Sequence, residues 1–466
     1  MPVGGKDEVI DIPEKNINEV IMPAYKPGLP DPEEKIREAI LNPIGTRRLS
    51  EILKEKFGKP GKRGGPYHRV AIAVDSYNRP TKHSLLFPTV LEELQKAGVR
   101  DEDVVIVEGC GVHRPATPEE WERKWGKELR ARFKNQMHSH TAPPREYQKF
   151  QSPVKFIGFT RHNCPVSINQ YAAESDVLIA LGQVSMNTNY GYGGGAKMIL
   201  PGIASYEAIA LSHHLASPES RSGGGRGQKN EGRLDINEMG DVAGLDFIVN
   251  VVHNTSGEVV AAAAGHHLEA WASLIPTCDQ MYVQPKIKPA DIYISSASPR
   301  HTLSGAFATD SLWAIGGGNN ATKRGGTMII AHRAVWPQHP IAHLGCPYFK
   351  MCEDLVLACK PRPIDELVKR CYYMVRWGDM AIFAISSIMN EKEVVITGEG
   401  FRAEDFEGSG FKYIPALNEA IDYAFKKHGK DATVNVSPMG GRFTYITRDD
   451  CHGDFADDVM GPCAGG

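Results

Sequence analysis

The sequence predicts an α/β protein built as two α/β domains with mainly parallel sheets and an active site in the interdomain cleft. Three observations predict it. Apolar runs that read as buried strands (RVAIAVD, VVIVEG and DVLIAL) each empty into a polar or glycine-bearing turn, and each turn leads into a helical pattern. The same alternation restarts after the proline-flanked stretch 285–289. A chain of 466 residues is also too long for one ordinary core.

In chain order, residues 1–30 are rich in Pro, Gly and charge and read as an extended N-terminal arm whose partner the sequence does not identify. Residues 31–286 form the N-terminal α/β domain. It opens with two amphipathic helical patterns, PEEKIREAIL and RRLSEILKEKF, separated by the helix stop Asn42-Pro43. RVAIAVD ends at the turn SYNRPT, which carries Ser76 and Arg79. A helical stretch to about Gly98 precedes VVIVEG, the turn holding His113, and a helix start at Thr117-Pro118-Glu119-Glu120. DVLIAL leads into polar residues, Tyr190, Tyr192, and the glycines Gly193, Gly194 and Gly195, with Lys197 just after them. A helix follows carrying His213 and His214. Ser217–Leu234, rich in Gly, Ser and Arg, reads as a mobile loop. DFIVNVV and EVVAAAAG read as an antiparallel pair, and HHLEAWASLI as a helix. Residues 287–466 form the C-terminal domain, with strands at DIYISSAS, GTMIIAHR and EVVITGEG, a long helical pattern around IDELVKRCYYMVRW, and the closing ALNEAIDYAFKKHGKDATVNVSPMGG.

Composition narrows the function classes. Lys plus Arg total 53 against 56 Asp plus Glu, a formal charge of −3, so no strong field draws the chain to nucleic acid or an anionic membrane. Nine cysteines without a C-x-x-C pair argue against a zinc ribbon or disulfide framework and for a reducing, cytoplasmic compartment. A small molecule is the expected partner.

Residue types at the strand ends suggest chemistry. His113, past a buried strand, has the place of a general base, and the neighbouring Arg114 would favour its neutral form; an ordinary turn histidine is the equal alternative. Arg79 could fix a carboxylate or phosphate with a two-pronged hydrogen bond, or serve in a surface ion pair. The glycines allow close approach of the backbone to an anion or a flat cofactor, and Lys197 adds a charge or an amine nucleophile. The alternative is a glycine-rich surface turn. His213 and His214 point to different helix faces, so the pair cannot form a metal site by itself, and a capping or core role is the alternative for each.

Taken in order, the motifs G-V-H-R-P-A-T-P-E-E, D-V-L-I-A-L-G-Q-V, G-Y-G-G-G-A-K, L-P-G-I-A-S-Y-E and K-H-G-K-D-A-T-V resemble the nickel-dependent lactate racemase (LarA-type) family of 2-hydroxyacid racemases and epimerases, over most of the chain after the arm. The resemblance implies a nickel-pincer nucleotide (nickel pyridinium-3,5-bisthiocarboxylic acid mononucleotide) in the N-terminal domain. Lys197 matches the lysine that contacts, and in some members is joined to, its thioacyl group; Gly193, Gly194, Gly195 and Ser76 line it, and His213 is the nickel ligand. His113 matches a catalytic histidine that takes the substrate hydroxyl proton, and Arg79 a substrate-side arginine. The implied reaction is a reversible hydride shuttle that inverts a hydroxyl-bearing carbon.

The chain departs from the family at defined places. Ten residues before the lysine, where the family carries its second histidine, stands Asn187, which cannot accept and release a proton near neutral pH. Tyr190, Tyr192 and His301 are the candidates for that work, and Tyr190 also for substrate contact. The glutamine and lysine that hold the substrate carboxylate fall at Ala306 and Thr309, with Arg300 and His301 the nearest replacements. The family's aspartate is displaced too, Ser76 occupying its position and Asp75 standing one residue earlier. The expected activity is therefore racemisation or epimerisation of a 2-hydroxy acid or sugar-acid-like substrate other than lactate. The alternatives are a non-racemising oxidoreductase, a cofactor-binding protein without turnover, and an enzyme of phosphorylated ligands. Expected partners are the hydroxy acid, the proteins that make the cofactor, and a second copy of the chain in a homodimer.

Overall fold

The computed structural model describes residues 1–3, 5–57, 69–187, 189–215, 230–284, 287–298, 307–334, 347–363, 365–367, 379–440 and 446–447. The chain divides into two compact units, one from Tyr25 to Met281 and one combining Met1–Ala24 with the described residues from Tyr282 onward. It is an α/β protein in which two six-stranded, mainly parallel sheets each organise one unit.

The sheet of the 25–281 unit contains β1 (Val70–Asp75), β2 (Val104–Gly109), β3 (Met137–His140), β4 (Val177–Val184), β5 (Leu245–His253) and β6 (Val259–Gly265). Their spatial order is β6-β5-β4-β1-β2-β3, all parallel except the β5–β6 pair, the antiparallel pair expected from DFIVNVV and EVVAAAAG. Alternate residues Val70, Ile72, Val74, Ile106, Ile179, Leu181 and Val249 enter one core with α1 (Pro32–Leu41), α2 (Leu49–Phe57), α3 (His83–Lys96) and α4 (Pro118–Trp125). The intervening residues Ala71, Ala73, Val105, Val107, Leu178 and Ala180 are buried as well, so both sheet faces are covered. That explains why these strands read as continuous apolar runs without alternation.

The helix boundaries follow from caps. Asp31 accepts from the Glu34 amide to start α1 with Pro32 in its first turn, and Asn42 closes it. Thr117 and Glu120 form a reciprocal capping box for α4, with Pro118 at its first position.

The strand order reverses at one place. The chain runs from β1 outward to β3, returns to the other side of β1 as β4, and continues to β6. A crevice beyond the carboxyl ends of β1 and β4 is where a sheet of this topology takes its ligand.

In the other unit, β7 (Ala290–Ser296), β8 (Thr322–Ala331), β9 (Glu393–Thr397), β10 (Lys412–Tyr413) and β11 (Val434–Ser437) form an all-parallel sheet, ordered β10-β9-β8-β7-β11. Its sixth strand is Ile17–Val20, which pairs with β11. Part of the N-terminal arm is therefore a sheet edge. Asn16 Nδ2 donates to the carbonyls of Lys430 and Ala432, and Asn18 Nδ2 to Asn435 Oδ1. The pattern around IDELVKRCYYMVRW lies largely outside the described residues. Among the described residues no helix is long and apolar enough to cross a membrane.

His140, fully buried at the end of β3, carries a testable pH dependence. Its Nε2–H donates to Ala204 O at 2.9 Å and its Nδ1 accepts from Asn169 Nδ2 at 3.2 Å, so the neutral ring satisfies both neighbours. Burial lowers its pKa to about 4. The unfolded chain binds a proton on this group near pH 6.5 and the folded one does not. Its contribution is thus complete above pH 6.5 and is lost as pH falls to about 4, by about 3 kcal/mol. Thermal denaturation between pH 7 and 4.5 should be steeper for the wild type than for His140→Gln. Equal slopes would exclude this origin.

Candidate active site

The turn after β1 is locked from below. The Asp75 carboxylate, 3 % exposed, receives Lys124 Nζ at 2.6 Å, Thr81 Oγ1 at 2.5 Å and His83 Nε2 at 3.2 Å. Burial alone would raise its pKa, but the Lys124 ammonium and His83 hold it well below the usual carboxylate range. Lys124 also donates to the carbonyls of Asp75 (3.1 Å), Ser76 (2.8 Å) and Arg79 (3.4 Å). Asp75 thus faces the protein interior as an anchor. Ser76 Oγ donates to Asn78 Oδ1, and the Arg79 amide to Ser76 O, which leaves Arg79 half-buried at the tip.

The turn after β2 is fixed by a buried acid that the sequence analysis did not single out. Glu108 accepts from the Tyr77 amide (2.8 Å), the Ala116 amide (3.2 Å) and Ser139 Oγ (2.5 Å), and burial raises its pKa. It therefore joins the turns after β1 and β2 to β3. The Gly111 amide donates to Gly202 O, tying His113's turn to the segment after Lys197. His113 is half-buried, its amide donating to Cys110 O. Arg114, the next residue, is 1 % exposed. Its guanidinium stacks 3.6 Å from the Tyr77 ring centre and grips Glu120 at 2.7 and 2.8 Å.

After β4 the chain makes a small hairpin, Met186–Asn187 against Gly191–Tyr192. Asn187 Oδ1 accepts the amides of Asn189 (3.1 Å) and Tyr190 (3.0 Å), so this side chain shapes the hairpin tip. Tyr190 is buried, its hydroxyl accepts from Ser212 Oγ at 3.1 Å, and burial raises its pKa far above neutrality. Its buried ring is a packing surface for its neighbours. Lys197 Nζ lies 4.7 Å from its ring centre, and His213 meets the same ring edge-on at 5.3 Å. One aromatic ring thus brings the lysine and the histidine together. Tyr192, also fully buried, donates its hydroxyl to Asp279 at 2.5 Å, and burial raises the Asp279 pKa to about 6.

The glycines serve close packing. The Gly193 amide donates to Ser185 O and the Gly195 amide to Asn250 Oδ1. Gly194 and Gly195 have φ of +80° and +59°, and a Cβ on Gly195 would meet Arg233 Nη2 at 2.8 Å and His267 O at 3.0 Å. Arg233, 1 % exposed, stacks 3.7 Å from the Trp271 ring centre and donates to the carbonyls of Tyr192 and Gly194, while Trp271 Nε1 donates to Gly193 O. Burial lowers the Arg233 pKa to about 9. Arg233 belongs to a helix, α6 (Glu231–Ala243), capped by Asn230. Residues 231–234, expected within the Ser217–Leu234 loop, therefore form the first turn of α6, and the capping Asn230 side chain accepts from the Arg233 amide and donates to Asn189 O. Residues 217–229 lie outside the described residues, as do Arg300, His301 and Ala306.

His213 stands in the last turn of α5 (Tyr206–Leu215). Its Nδ1 lies 2.7 Å from Ile209 O; since a carbonyl only accepts, Nδ1 carries the proton and Nε2 keeps its lone pair. Burial, together with the charge of Lys197, lowers its pKa to about 4. This neutral, oriented imidazole is what a transition metal requires of a histidine ligand. The residues present therefore fit a metal-bearing cofactor, with Lys197 alongside.

Comparison with known proteins gives a consistent picture. The family model described as the lactate racemase N-terminal domain matches residues 3–224. The chain is 29% identical over 471 aligned positions to a lactate racemase of Thermoanaerobacterium thermosaccharolyticum, covering 94% of this chain and 97% of that one. It is 26% identical over 422 positions to the lactate racemase of Lactiplantibacillus plantarum, covering 88% and 89%. Among solved structures, that of the lactate racemase apoprotein from T. thermosaccharolyticum superposes with a TM-score of 0.74 at 25% identity, over 96% of this chain and 99% of that one. A Thermotoga maritima protein shares the fold with a TM-score of 0.61 at 17% identity, over 89% and 98%.

Proposed function

We propose that this chain, which belongs to the lactate racemase family and is an isomerase, racemises or epimerises a 2-hydroxy acid with a nickel-pincer nucleotide bound beside Tyr190. The observation that carries the reading is the Tyr190 ring, on which Lys197 Nζ and the neutral His213 converge at the reversal of strand order. His213 Nε2 would bind the nickel and Lys197 would hold the nucleotide. When bound, this cofactor supplies a group that accepts hydride from the substrate carbon and returns it.

The chain's own residues do the rest. Arg79, on a turn that Lys124 anchors, orients the substrate carboxylate. His113 takes the hydroxyl proton and gives it back. The second base of the family is replaced in role, since Asn187 spends its carboxamide oxygen on two backbone amides. A substrate other than lactate is the reading that Asn187 favours, with lactate as the reference compound. A reducing, cytoplasmic setting accords with the free, buried Cys110, Cys164, Cys278 and Cys359.

The test begins with intact mass and metal content of protein made in a host that synthesises the nucleotide, followed by a panel of single-enantiomer 2-hydroxy acids, lactate included. Co-purified nickel with formation of the opposite stereoisomer supports the reading. Protein with neither nickel nor a modified Lys197 overturns it. His113→Ala should retain nickel and lose racemisation by about 10²–10⁴-fold, the usual contribution of a general base. Unimpaired turnover would remove His113 from the mechanism.

A further inference from the structure

A second cluster of metal-binding side chains lies beneath the glycine loop, apart from Lys197 and His213. Asp241, His266 and His267 each offer a ligand atom, and these atoms lie within 4.8 Å of one another. His267 is 2 % exposed. Its Nε2 lies 2.8 Å from Asp241 Oδ1, while its Nδ1 is buried without a hydrogen-bond partner among the described residues. The His266 ring lies 4.7 Å from that of His267, tilted by 36°, and its own Nδ1 is also buried and unpartnered. Glu269 brings a carboxylate oxygen 3.8 Å from His266 Nδ1. The Asp241 and Glu269 side chains are 64 % and 54 % exposed, so an ion has an open approach.

Two imidazoles packed at a tilt of 36°, one with its Nε2 on Asp241 and the other with a buried Nδ1 that makes no hydrogen bond, are poorly explained by packing alone. Two nitrogens and two carboxylate oxygens make a donor set for a borderline divalent cation such as zinc, and not for calcium or magnesium. Donors around tetrahedral zinc are about 3.3 Å apart, so small side-chain rotations close Asp241, His266 and His267 around an ion, while Glu269, which stands next to His266 only, must swing further to join them. We propose that Asp241, His266, His267 and Glu269 hold a divalent transition-metal cation of the zinc type that fastens α6 to the segment His266–Trp271.

The place gives the cation a purpose. Arg233, on α6, and Trp271, on the other segment, together support Gly193 and Gly194. A Cβ on Gly240, beside Asp241, would come within 2.6 Å of Ala196 Cβ, so α6 already abuts the loop that carries Lys197. Pinning α6 to the His266 segment therefore stiffens the support of that loop. The chemistry at His213 is not involved.

The test uses the full chain from a host that lacks the nucleotide, stripped with chelator and titrated with zinc chloride alone. Calorimetry should find one equivalent of zinc in the wild type that is lost, or bound at least tenfold more weakly, in Asp241→Asn and in His266→Gln. His213→Ala should keep that equivalent, which separates this site from the nickel reading. Saturating zinc should raise the wild-type Tm by roughly 5 °C and that of Asp241→Asn by less than half as much. Asp241 is exposed, so its variant should fold, and circular dichroism checks this. Wild type and Asp241→Asn binding zinc alike, or wild type binding none, would overturn the proposal.

Discussion

His213→Ala is expected to purify with at least tenfold less nickel per chain than the wild type and to lose racemisation by more than about 100-fold, since changes in the groups that merely orient a metal ligand already cost about 10–100-fold. The argument rests on how Ile209 O prepares the ring. By accepting the proton on Nδ1 at 2.7 Å it leaves Nε2 as the donor atom. Burial and the Lys197 charge add a second consequence, because a folded pKa of about 4 keeps protons off Nε2 through the range in which a free histidine would be titrating. Nickel content should stay flat from pH 7.5 to about 5.5 and fall only as pH approaches 4. Retention of nickel by His213→Ala, or loss centred near pH 6.5 in the wild type, would refute the assignment. Tyr190→Phe tests the support. It keeps the ring under Lys197 and loses only the bond from Ser212, so its nickel content should stay close to that of the wild type.

What could be read in the sequence was local. The strand ends at Asp75 and Gly109, the capping box at Thr117 and Glu120, and the antiparallel β5–β6 pair are each signalled by neighbours a few residues away, whereas the strand read as DVLIAL runs three residues further, to Val184. The candidates Arg79, His113, Lys197 and His213 belong to segments of the 25–281 unit that follow its strands. What stayed hidden depends on distant partners. Lys124 sits in WERKW, a run that reads as a solvated helix face, and is buried only because Asp75 arrives from 49 residues earlier. Tyr192 meets Asp279 across 87 residues, and Glu108 meets Ser139 across 31. Arg233 was absorbed into a Gly/Ser/Arg-rich stretch because composition does not reveal that Asn230 caps a helix there. The arm was legible as extended, but not as a strand, since INEV alternates weakly and pairs with residues 434–436.

Lys124→Met is expected to lower the stability of the 25–281 unit by about 3–5 kcal/mol in urea denaturation, the usual cost of leaving a buried charge without its partner. The methionine matches the lysine stem in length, so the loss comes from Asp75 and the turn. Thr81 and His83 remain as partners of that carboxylate, but the ammonium that offsets its burial is gone, and the Asp75 pKa must rise from its depressed position. In the wild type Asp75 contributes stability above the ordinary carboxylate pKa that is lost as pH falls towards its depressed value. The variant should lack that contribution and be relatively insensitive to acid in this window. Asp75→Asn combined with Lys124→Met removes both charges and should recover a large part of the loss, a coupling that a double-mutant cycle measures. A loss below about 1 kcal/mol in Lys124→Met would mean that the pair does not hold the turn. The functional consequence separates anchoring from chemistry. Lys124 reaches the Ser76 and Arg79 carbonyls and not the proposed reacting groups, so the double variant should raise KM more than it lowers kcat, because Arg79 then orients the carboxylate from a looser turn.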